Sequence, residues 1–555
     1  MAYKVGVSSG WWHIDKPADL LGLATKVGGF GGTAGVQFIQ ADVETTSEFF
    51  EPRVGTYLKR LKKELGLQVG VHGELGELMA LESAERRFWD QSQLRLCETV
   101  KHSADLDLVY INLHFSSRPQ LYYMEREYRV MGYVHPVVDF KGDPLYMICE
   151  ESKDAKALAK KHLLALQSLL HMDDREKFVE VMQERYRREY HREQERAREE
   201  LRKQKWFQEA SQEEQRARES VVDQEIAQRI ERKREDEETE NLYNLWKESP
   251  NTKYQIETAE IAVYKIIGAY MREKGDPIWR ALCGNLDAET AYIQPETHPN
   301  FNAAVAAKYL EGHLTAKNHP FNKQVFGKNI SVMDYLKDKK TTLVFEIPEA
   351  HAGSEGLLRL YKPMDAYPWI KKMNTDKIKM CIDFEHAIAH KINIDEMIKK
   401  MPSDMGKMMM LFHLGKPIPY FGTAHAPIPI GSRTMEILYK WLYEFRKKGF
   451  KDGYIIYERG GGKTAEEIMK NAVWSMRQIA TYLEKGIPYE DLPSEFYGIS
   501  EQNKEIFARQ SASVRDHAWD PLEGVLSVPE ERHGHFSKAA VEKQKGEVWE
   551  KRKYR

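Results

Sequence analysis

Eight short apolar runs, most of them followed by a helical pattern, constrain this 555-residue chain more than any other feature. They are Lys4–Ser8, Val36–Gln40, Gln68–His72, Val109–His114, Thr342–Glu346, Lys379–Asp383, Met409–His413 and Tyr454–Glu458. Amphipathic stretches such as TYLKRLKKEL (Thr56–Leu65) and RTMEILYKWLYEFRKKG (Arg433–Gly449) lie between them. Strands that are apolar throughout, rather than alternating, belong to parallel sheets covered on both faces. Eight such units predict an α/β fold of the (β/α)8 TIM barrel type, whose chemistry sits at the C-terminal ends of the strands.

The spacing breaks once, between the fourth and fifth runs. From Pro144 to Pro250 the chain holds 105 residues without glycine or proline, although 36 Gly and 22 Pro occur overall. Pairs such as Asp173–Lys177, Glu184–Arg188 and Glu199–Lys203 support helix. The apolar positions are too sparse for a sustained heptad, and Ser211-x-x-Glu214 reads as a capping box. A hairpin turning near Ala210 and one continuous helix of ~100 Å are both compatible with this pattern. The expected organisation is barrel strands one to four over 1–125, a charged helical arm over 126–253 and a helical subdomain over 254–338. Barrel strands five to eight then occupy 339–485, and an extended tail 486–555.

The strand ends carry the chemistry. Strand three ends in His72, four in His114, five in Glu346, six in Asp383 with His386 beyond, seven in His413 and eight in Glu458; His425 follows strand seven. Carboxylates gathered at one mouth repel one another. Divalent cations relieve that repulsion, and histidine with carboxylate is a donor set of Zn²⁺, Mn²⁺ or Fe²⁺.

Cys381–Ile394 (CIDFEHAIAHKINI) resembles a segment of endonuclease IV, within the xylose isomerase-like barrel superfamily. VHGEL at His72, INLHFSS at His114, VFEIPEAHAGSEG at Glu346, LFHLG at His413, TAHAPIPIG at His425 and IIYERG at Glu458 follow in the same order. The resemblance covers the barrel, not the insertion or the tail. It implies that His72, His114 and Glu346 hold one metal ion, and that Glu346 bridges to a second held by Asp383, His413 and Glu458. His386 and His425 match ligands of a third ion. The family's D-R-H there reads Thr423-Ala424-His425, so two ions are expected rather than three. Zinc is the expected metal, with manganese or iron as alternatives, and Glu346, Asp383 and Glu458 the catalytic carboxylates.

Three functions follow as expectations. One is a metal-dependent hydrolase attacking a phosphodiester or phosphorylated substrate through a two-metal hydroxide. The second is a sugar isomerase or epimerase, as in sister families of the superfamily. The third is a metal-binding barrel without catalysis whose arm grips nucleic acid, nucleoprotein or a protein assembly. Trp11 and Trp12 after strand one can stack a base or sugar, or pack against the insertion. Arg459 and Lys463 can hold phosphate, although Tyr457 stands where a P-loop needs glycine and Thr464-x-x-Glu467 reads as a capping box.

Composition narrows the partners. The 83 basic and 85 acidic residues leave a formal charge of −2, so any nucleic-acid surface must be local. No apolar run approaches the ~18 residues of a membrane span. The start MAYKVGVSSGWW lacks a secretory leader's layout, and four cysteines without CxxC give no disulfide framework; a cytoplasmic protein without membrane partners is expected.

Overall fold

The computed structural model describes residues 2–8, 36, 38–42, 49–50, 52–73, 79–121, 137–143, 145–161, 190–236, 250–350, 355–416, 426–458 and 466–499. Its centre is a closed barrel of eight parallel strands in chain order. They are β1 (Tyr3–Ser8), β2 (Phe38–Asp42), β3 (Gln68–His72), β4 (Tyr110–His114), β5 (Thr342–Glu346), β6 (Ile378–Asp383), β7 (Met409–Leu414) and β8 (Gly453–Tyr457). β8 closes onto β1, Val7 facing Tyr457. The second strand starts two residues later than its apolar pattern suggests. Gln40 and Asp42 look like the polar end of a run, but Gln40 Nε2 donates to Asp42 Oδ1 at 3.0 Å, and both residues belong to the strand.

Below the mouth the barrel is filled by Phe38, Tyr110, Val344, Cys381, Leu411, Tyr454 and Ile456. Gly70 makes this filling possible, because a Cβ there would lie 2.5 Å from the Tyr110 ring. A larger core joins the outer faces of the strands to the helices. Among those helices, Arg86–Asp105 follows β3, Pro363–Met373 follows β5, Arg433–Lys447 precedes β8 and Glu466–Lys485 follows it.

The break after β4 holds both insertions. Residues 190–202 are helical and lie antiparallel to Gln212–Asp236, so these two described segments form a hairpin. Ion pairs Arg198–Asp223 and Glu193–Arg229 cross it, and Arg202 meets Glu219 at 3.2 Å. At the turn Ser211 N donates to Glu214 Oε2 at 2.9 Å, and Phe207, Ile226 and Ile230 are buried. Helices Pro250–Glu273, Pro277–Cys283, Ala288–Ile293, His298–Thr315, Pro320–Phe326 and Val332–Leu336 follow. His298–Thr315 is buried on nearly every side, as an apolar-all-round helix must be. Residues 486–499 fold back through Phe496, whose ring meets Tyr439 and Tyr482. No helix of the described residues is long and apolar enough to cross a membrane.

Candidate metal centre

Parallel pairing brings the strand ends to one mouth. His72 pairs with Asn112, His114 with Glu346, and Asp383 with His413. The period of two turns each strand-end side chain, and the one two residues earlier, toward the axis. Asn112 therefore joins His114, and Cys381 joins Asp383. Two donor groups result. Glu346, Asp383, His413 and Glu458 offer donor atoms all within 4.8 Å of one another, and so do His72, His114 and Glu346. A third combination replaces Asp383 and Glu458 with the Cys381 thiol.

Glu346 is the shared member and is fully buried. Its Oε1 lies 2.8 Å from His413 Nδ1 and 3.7 Å from His386 Nδ1. Its Oε2 accepts from Asn112 Nδ2 and lies 3.2 Å from His72 Nε2. His413 Nδ1 is also 3.0 Å from Glu458 Oε2 and 3.8 Å from Asp383 Oδ2. No described lysine or arginine pairs with Glu346.

The other side of the His413 ring fixes what this means. Gln40 Nε2 donates to the acceptor-only carboxylate of Asp42, which turns Gln40 Oε1 toward Tyr110 and His413. Tyr110 OH donates to that oxygen at 2.8 Å, and His413 Nε2 reaches it at 3.0 Å. His413 therefore holds a proton on Nε2, and whenever the ring is neutral Nδ1 presents its lone pair to three carboxylates.

Protons relieve that conflict when no cation does. Burial lowers the His413 pKa, but Glu346 and Glu458 outweigh it and hold the ring well above its usual range. Burial pushes the Glu458 carboxyl up to about 8 despite His413. Glu346 is held well below the usual range, His413 and His72 overcoming its burial. For His72, burial is outweighed by the Glu346 hydrogen bond and charge, and the pKa rises. His114, facing His72 rather than a partner carboxylate, is driven by burial down to about 3. Its buried Nε2 has no hydrogen-bond partner among the described residues.

The expected residues therefore meet in part. His72, His114, Glu346, Asp383, His413 and Glu458 come together. His386 packs beside them, but its Nδ1 lies 2.9 Å from Ile347 O, so this nitrogen serves the loop after β5. His425, Trp11, Trp12, Arg459 and Lys463 lie outside the described residues. Gln40, Asp42, Tyr110 and Asn112 escaped the sequence reading. The signal for Asn112 was its place two residues before His114 on one strand.

No family model and no curated protein matches the chain. Similar solved structures include an L-ribulose 3-epimerase at 9% identity, covering 87% of this chain and 95% of that one, with a TM-score of 0.38. A D-psicose 3-epimerase studied with D-fructose shares 10% identity over 87% of this chain and 100% of its own, at 0.39. A 3-keto-D-glucoside 4-epimerase from E. coli shares 9% over 86% and 99%, at 0.33. At such identities the likeness concerns the barrel alone. The narrower resemblance to endonuclease IV finds no specific support here.

The hydrolase expectation is corrected, because these structures are sugar epimerases.

Proposed function

We propose that this barrel is a metal-dependent carbohydrate epimerase or isomerase holding one divalent ion at Glu346, Asp383, His413 and Glu458. The lone pair of His413 Nδ1, aimed into three carboxylates by Gln40, carries this reading. One proton cannot serve three acids. At His72 Nε2 the hydrogen-bonded carboxylate oxygen among the described residues is that of Glu346, and one proton there satisfies it. The four-donor group, rather than the three-donor one, is thus the cation site. Its three carboxylates and one imidazole suit an oxygen-preferring ion such as Mn²⁺ better than a thiolate-preferring zinc site.

Such an ion polarises a substrate carbonyl when bound. The remaining work falls to the chain. Glu346 reaches the mouth from β5 and Glu458 from just beyond β8, so one carboxylate can take a proton next to a carbonyl while the other returns it. His72 and His114 pack against each other beside this group, and the His114 Nε2, without a hydrogen-bond partner among the described residues, suits a sugar hydroxyl. The test is exchange in D2O. Mn²⁺-loaded protein is incubated with a panel of ketoses and aldoses, and deuterium beside the carbonyl is followed by NMR. Exchange that requires metal and disappears in Glu458→Gln supports the reading. Absence of exchange across the panel, with metal demonstrably bound, rejects it.

A further inference from the structure

We propose that Glu260 and Arg359 are a positioning pair through which the inserted helix Pro250–Glu273 sets the loops beside His114 and Glu346. Arg359 is 1% exposed, and its guanidinium grips Glu260 with both arms, Nη1 to Oε1 at 2.9 Å and Nη2 to Oε2 at 3.0 Å. Nε donates to Pro119 O at 3.0 Å, and the second Nη1 hydrogen is shared between Tyr264 OH at 2.8 Å and Glu82 O at 3.3 Å. Tyr264, one turn on from Glu260, donates its own hydroxyl to Glu82 O. Glu260 Oε1 also receives the Ala84 N–H at 3.2 Å.

Four segments meet here. Glu82–Ala84 follows β3, Arg118–Gln120 follows β4, Leu357–Arg359 follows β5, and Glu260 belongs to the insertion. The β4 and β5 loops are joined directly: Gln120 N donates to Leu357 O at 2.5 Å, and Arg359 N to Arg118 O at 3.1 Å. Glu82 Oε1 gathers Ser116 Oγ, Ser117 N and Arg118 N at 2.7, 2.7 and 2.6 Å. Phe115 N, beside His114, donates to the Glu346 carbonyl at 2.9 Å. A buried ion pair adds little stability over apolar residues of the same size, because desolvation offsets the attraction. What an apolar pair lacks is direction. The planar guanidinium orients backbone groups of loops that flank three strand-end donors.

The effect on the mouth rests on the cation reading above, whereas the setting of the loops does not. The full chain is therefore compared as wild type, Arg359→Met, and the double variant Glu260→Leu with Arg359→Met. Thermal stability, amide hydrogen exchange by mass spectrometry and Mn²⁺ affinity by electron spin resonance are measured for each. The double variant is expected to regain most of the stability lost by the single one. Its peptides holding Ala84, Gln120 and Arg359 should still exchange at least tenfold faster than in wild type, with strand peptides unchanged and Mn²⁺ bound at least tenfold more weakly. Wild-type exchange at those three amides in the double variant overturns the positioning role, whatever the metal result. Faster exchange with no Mn²⁺ bound even by wild type keeps the loop role and removes the cation reading instead.

Discussion

Gln40 Oε1 stands 3.0 Å from His413 Nε2, and this bond decides the chemistry of the other face of the ring. Removing the acceptor frees the tautomer. Gln40→Leu is expected to weaken divalent-ion binding by about tenfold to a hundredfold, the usual effect of losing a ligand's orienting partner. Competition titration against a chelating dye measures it. An unchanged affinity in a folded Gln40→Leu protein removes the tautomer from the account.

Breaking the clamp on one side leaves a charge buried alone. Arg359→Met should cost about 3–5 kcal/mol in urea unfolding, since Glu260 then lacks its counter-ion, and Glu260→Leu added to it should restore most of that loss. A double variant as unstable as the single one contradicts the view that the pair's stability contribution is small.

Gly312 lies within the buried helix His298–Thr315, where alanine normally gains up to about 1 kcal/mol over glycine. Here a Cβ would fall 1.6 Å from Phe140 O, a backbone atom that has no rotamer to yield. Gly312→Ala is therefore expected to destabilise the protein, by about 3 kcal/mol, as overpacking does. The sign of the change in denaturation midpoint checks it.

A buried acid away from the mouth sets a pH dependence. Asp139 Oδ1 accepts from Lys141 N at 2.7 Å and Asp143 N at 3.0 Å. Burial nevertheless raises its carboxyl from the usual 3.8 to about 7. The folded state keeps a proton that the unfolded chain releases. Its stabilisation is full below the unfolded pKa and is lost as pH rises through the folded value. Asp139→Asn should flatten the fall in stability between about pH 4 and pH 7, read from urea midpoints across that range. A wild-type slope in the variant would assign the dependence to other groups.

The barrel was legible because each strand is apolar on both faces, and the donors because they end those strands in chain order. What the residues alone could not show were partnerships made across the barrel. Gln40 and Asp42 read as ordinary polar residues until β2 is paired with β3 and the pleat turns them inward. Asn112 reaches Glu346 Oε2 from a strand more than two hundred residues away in the chain, a partnership no spacing announces. Arg359 and Glu260 carry no motif, since a helix inserted between β4 and β5 brings them together.

The central claim is that four strand-end side chains share one cation. Calorimetric titration of chelator-stripped protein with Mn²⁺ tests it most directly. One tight equivalent per chain is predicted, lost in Glu346→Gln while the fold persists. No binding at all, two equally tight equivalents, or unchanged binding by Glu346→Gln would contradict it.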